Sequence, residues 1–106
     1  MTFTVTSVRE AEPSRYEKVG RLIPGEGDMF RIMRDGKGEI GLFPKTDVLL
    51  LFGGLPPDGM KVSESGNRVV ITGADGAEYV VLTSQLRGMI RDWPKKKAAV
   101  FVVREG

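Results

Sequence analysis

Six basic side chains, Arg87, Arg91, Lys95, Lys96, Lys97 and Arg104, stand between Ser84 and Arg104 with one acidic residue, Asp92, among them. That stretch therefore carries +5, six against one, whereas the whole chain of 106 residues carries +2. Residues 1–53 are balanced, with eight basic and eight acidic side chains. Arg87 and Arg91 lie four apart and share one face of a helix, and the lysine run extends from that helix's C-terminal end. Such a cluster attracts polyanions through its field and through release of counterions, and arginine can bind phosphate with two parallel hydrogen bonds. Trp93 and Tyr79 add aromatic surfaces on which bases can stack. The same cations also suit the negative end of a helix dipole, and lysine beside a strand discourages edge pairing.

Other chemistry has little to work with. The chain has no Cys and no His, which removes thiol nucleophiles, disulfides, thiolate zinc sites and imidazole bases or ligands. Glu26, Asp28, Asp58 and Glu64 could meet as an acid/base pair or a weak divalent site, but their spacing does not require it. No calcium-loop pattern occurs. Gly36-Lys37-Gly38 and Gly73-Ala74-Asp75-Gly76 lie between expected strands, whereas a phosphate loop follows a strand and opens a helix, so both read as hairpin turns. No cofactor, metal site or catalytic residue is expected. A second basic stripe, Arg31, Arg34 and Lys37, is diluted by Asp35 and Glu39.

The positioning elements follow from residue patterning. Phe3 to Val8 alternates β-branched and apolar residues as a half-buried strand does, and Tyr16 to Ile23 reads as a second strand ended by Pro24-Gly25-Glu26-Gly27-Asp28. Phe30 to Arg34 and Glu39 to Phe43 flank Asp35-Gly36, a hairpin signal because the turn needs positive φ. Thr46 or Asp47 could cap a short helix over 46–52, although Val48 to Phe52 would equally suit a buried strand. After the Gly/Pro-rich midpoint at 53–59, Met60 to Ser63, Asn67 to Thr72 and Ala77 to Leu82 form a meander. Ser84 to Trp93 is the strongest helix, capped by Ser84, with Leu86, Met89, Ile90 and Trp93 on its apolar face and Pro94 at its end. Ala98 to Val103 is nearly continuous in apolar character, as an interior strand is.

The two halves echo each other at an offset of 39 residues. Phe30, Ile32, Glu39, Ile40, Leu42, Phe43, Leu50 and Leu51 fall on Val69, Ile71, Glu78, Tyr79, Val81, Leu82, Met89 and Ile90. A duplicated supersecondary unit would give this pattern, and so would any two hairpins that share period-two alternation.

The expected fold is α+β and mostly antiparallel. It is a single domain over 1–106, a small sheet or barrel-like sandwich of hairpins with one helix near 84–93 and a second, short one near 46–52. No run approaches the roughly 18 apolar residues of a membrane helix, and the N-terminus lacks a secretory signal, so a cytoplasmic setting without membrane contact is expected. The functional expectation is a non-enzymatic module that binds nucleic acid with little sequence preference. Its contacts would be Arg87, Arg91, Trp93, Lys95, Lys96, Lys97 and Arg104. The alternative is a protein-interaction or self-assembling module, possible as a homodimer, using an apolar edge such as Val100 to Val103 or the Leu49 to Leu55 region.

Overall fold

Seven antiparallel strands and two helices make up residues 15–104, the part of the chain that the computed structural model describes. The strands are β1 (Tyr16–Gly25), β2 (Met29–Arg34), β3 (Gly38–Pro44), β4 (Met60–Val62), β5 (Arg68–Thr72), β6 (Glu78–Leu82) and β7 (Ala98–Val103). Helix α1 (Lys45–Phe52) follows β3, and α2 (Thr83–Arg91) follows β6. The strand expected at Phe3 to Val8 lies outside the described residues.

The sheet order is β3-β2-β1-β7-β6-β5-β4, curled into a half-barrel with β3 and β4 as its edges. Asp35-Gly36 and Asp75-Gly76 each sit at a strand-to-strand turn, with Gly36 and Gly76 at positive φ as the turns require. The ladder of β1 runs past the expected stop, since Pro24 still lies opposite Phe30. Pairing with β7 ends at Leu22, so the missing proline N–H costs no bond on that side. β7 is central, between β1 and β6. This overturns the reading of Val100 to Val103 as an assembly edge and agrees with its near-continuous apolar run.

Each half is a three-stranded meander followed by a helix, β1-β2-β3-α1 and then β4-β5-β6-α2. The equivalence is more exact than one offset allows. Buried Phe30 and Ile32 match buried Val69 and Ile71 at 39 residues, but buried Phe43, Val48 and Leu51 match Val81, Leu86 and Met89 at 38. A β-bulge accounts for the difference. Ile32 pairs with Gly41 and Met33 with Glu39, leaving Ile40 without an opposite residue, whereas β5 and β6 pair without a slip. Every residue after the bulge changes phase, so Leu42 points outward at 53% exposure while Val81, its partner at 39, is fully buried. The pairings of Leu42, Phe43, Leu50 and Leu51 expected from sequence are corrected accordingly.

Both helices begin without the side-chain caps expected of Thr46, Asp47 and Ser84. Each strand runs directly into its helix, and the first helical N–H is satisfied by backbone: Lys45 donates to the Asp28 carbonyl at 2.8 Å and Thr83 to the Asn67 carbonyl at 3.0 Å. The two acceptors occupy equivalent places, just before β2 and just before β5. Helix α1 ends in a Schellman motif, with Gly54 at φ +86, Gly54 N–H donating to Leu51 O and Leu55 N–H donating to Leu50 O.

The core fills the concave side. Leu22, Phe30, Ile32 and Phe43 from the first half and Val69, Ile71, Tyr79 and Val81 from the second meet under Val48 and Leu51 of α1 and Leu86 and Met89 of α2. Ile90 and Trp93 pack against this cluster while partly exposed.

Candidate functional site

Helix α2 ends at Arg91, two residues earlier than expected, and Asp92 to Lys97 form the connection to β7. Asp92 organises this connection. Its carbonyl accepts the Lys95 N–H at 2.8 Å, and its carboxylate lies 2.8 Å from the Lys96 ammonium and 3.5 Å from the Arg91 guanidinium. The hydrogen bond from Lys96 holds the Asp92 carboxyl below the usual carboxylate range, reinforced by the charges of Lys96 and Arg91. Lys95 and Lys97 are exposed and form no ion pair among the described residues.

Trp93 is held from several sides. Its ring lies 4.8 Å from that of Phe30 in a tilted arrangement, the Lys45 ammonium sits 5.2 Å from its centre, and its indole N–H donates to the Asp28 carboxylate at 3.1 Å. Asp28 has φ +56, in the left-handed region that Asp tolerates better than most residues. Its carbonyl holds the start of α1 and its carboxylate holds Trp93, so one turn residue joins β1-β2, α1 and the connection after α2. These contacts give Trp93 a packing role.

The structure gathers some of the expected site residues and separates others. Arg91 and Lys95 to Lys97 lie together at the end of α2. Arg87, one turn earlier, lays its guanidinium 4.1 Å above the ring of Phe52 in α1, which fixes its position by a cation–π contact. Arg104 is at the other end of β7, about 23 Å from Lys97 at the usual strand rise, and its N–H pairs with the Arg15 carbonyl. Lys45 belongs to the cluster and was missed in the sequence. It lies in the other half of the chain, and Asp28, bonded to both the start of α1 and the Trp93 indole, brings the two together. Tyr79 is fully buried and offers no stacking surface. Among the described residues no three His, Cys, Asp or Glu, with Glu26, Asp28, Asp58 and Glu64 among those searched, are placed to hold a metal ion. No helix among them is long and apolar enough to cross a membrane.

No family model, curated protein or solved structure matches this chain. The functional reading accordingly rests on the chain's own geometry.

A second surface is apolar. Helix α1 is hydrophobic on nearly all sides, and while Val48 and Leu51 face the core, Leu49 and Leu50 stand in solvent. The Schellman motif brings Leu55, 70% exposed, beside Leu50.

Proposed function

We propose that the protein is a non-enzymatic binding module that engages nucleic acid through its phosphates, with little sequence preference. One observation carries the reading. Lys45 from the first half joins Arg91, Lys95, Lys96 and Lys97 from the second around the end of α2, and one carboxylate, Asp92, is spent on them by direct ion pairing. Arg87 extends the cationic face along α2. The binding energy would come from displaced counterions, with arginine supplying directional bonds and lysine point charge. Trp93 supports the loop rather than stacking on bases, and Arg104 lies too far away to share the same phosphates.

A salt titration of binding to a generic oligonucleotide tests this. Affinity should fall with a logarithmic slope of roughly −0.7 per contacted phosphate for single strands and −0.9 for duplex. Replacing Lys95, Lys96 and Lys97 together with Ala should weaken binding to all sequences alike and flatten the slope. Absence of binding at low salt, or a slope unchanged in the triple variant, would overturn the reading.

A second reading, a protein-interaction surface, is favoured by Leu49, Leu50 and Leu55, three exposed leucines at the end of α1.

A further inference from the structure

The two edges of the sheet do not point away from each other. Curling brings Gly41, Leu42 and Phe43 of β3 and Met60 of β4 onto one slot of about 300 Å³, near the lower limit of ligand-binding clefts. One corner of the slot is closed. The bulge at Ile40 turns its carbonyl towards the β5-β6 turn, where it accepts the Ala74 N–H at 2.9 Å. Ile32 and Ile71, from equivalent positions in the two halves, lie at its base nearly fully buried, and the surface open to an occupant is more polar than apolar. The sides carry Asp47, in the first turn of α1, and Asp58, just before β4. Neither carboxylate has an ion pair among the described residues.

We propose that this slot takes up an extended peptide bearing a lysine or arginine, added as a strand between β3 and β4. Edge strands present unpaired N–H and C=O groups to such a segment, and here two edges face one space, so an entering strand has backbone partners on one or both sides. The carboxylates select the charge: a cationic side chain next to them gains two partners, and an anionic one meets two like charges. None of the slot's lining residues belongs to the basic surface at the end of α2, although Asp47 lies two residues from Lys45 on α1. A second copy of the chain is a poorer occupant through its own β3, whose outward residues include Glu39 and Leu42 and no cation.

The test uses the full chain, labelled with ¹⁵N, and two synthetic peptides of alternating Thr and Val, one with a central Lys and one with Glu in its place. The Lys peptide should shift the backbone amides of Leu42, Phe43, Gly59 and Met60 along a saturable curve. The Glu peptide should bind at least about tenfold more weakly, the scale expected of two partly exposed ion pairs. Asp47→Asn combined with Asp58→Asn should reduce affinity for the Lys peptide by about the same factor, and Asp58→Asn alone should reduce it about threefold while leaving the rest of the spectrum unchanged. Equal affinity for the two peptides, no saturable shift at those amides, or shifts confined to Arg91 to Lys97 would overturn the proposal. Shifts at the slot that follow protein concentration without peptide would also overturn it, by giving the slot to a second copy.

Discussion

The Arg34 guanidinium donates a hydrogen bond to the phenolic oxygen of Tyr79 at 3.0 Å, joining the end of β2 to the start of β6 across 45 positions of sequence. Tyr79 in turn donates to the Asp75 carboxylate at 2.6 Å, and Asp75 also accepts the Ala77 N–H at 3.0 Å. The relay ties the β2-β3 hairpin to the β5-β6 turn. It has a titration signature. The Tyr79 hydrogen bond, followed by that from Ala77, holds the Asp75 carboxyl below its ordinary value, while burial and then the bond to Asp75 push the Tyr79 phenol up.

Tyr79→Phe should remove both phenolic bonds and cost about 1–3 kcal/mol at neutral pH. The sign of the pH dependence follows from the depressed Asp75. Its contribution is in place above the ordinary value of 3.8 and is lost as pH falls through the lowered folded value. Urea unfolding between about pH 2 and 6 should therefore show a shallower acid loss in the variant than in the wild type. Parallel acid limbs would show that the relay does not set the Asp75 titration. The raised Tyr79 value adds the opposite limb, with stability lost above pH 10 in the wild type and absent in the variant.

Leu86 and Leu50 offer a contrast between the helices. Leu86 is fully buried beneath α2, so Leu86→Ala should cost about 2–5 kcal/mol through lost burial and the cavity left behind. Leu50, at 45% exposure, belongs to the outward face of α1, and Leu50→Ala should stay within roughly 1 kcal/mol. Thermal unfolding of the two variants checks the assignment. Equal losses would mean that the outward face of α1 is covered by something.

Val100→Lys tests the central place of β7. Val100 is 1% exposed and its strand has a neighbour on each side, so the variant would bury an unpaired ammonium and should be largely unfolded by circular dichroism. Were β7 a free edge, as the assembly reading expected, the variant would instead remain folded and elute as a monomer.

Strand and helix positions were legible because turn chemistry and periodicity are local. Asp35-Gly36, Asp75-Gly76 and the spacing of Leu86 and Met89 announce themselves within a few residues. The repeat was legible as far as Phe30 and Ile32. Beyond that it failed, because one unpaired residue at Ile40 changes which side of the sheet every later residue faces, and a bulge leaves no mark in composition. Helix caps failed for a similar reason: Ser84 and Asp47 are good capping types, but the Asn67 and Asp28 carbonyls, far off in sequence, had already met the need. At the basic surface, the contiguous lysines were readable and Lys45 was not, because Lys45 and Trp93 meet through tertiary bonds that both make to Asp28.

The place of β7 has a consequence for biosynthesis. Among the described strands it is the last in chain order and the one that joins the halves, since β1 and β6 each have it as their second neighbour. Until residues 98–103 have left the ribosome, β1 and β6 have no strand to lie between them, and the inner edge of each three-stranded half is open. Those edges are what chaperones or other nascent chains would meet. Joining them requires β7 to pair with β1 across most of the chain, a non-local contact of the kind that slows folding. Translation halted before Ala98 would release two half-sheets with no strand to unite them.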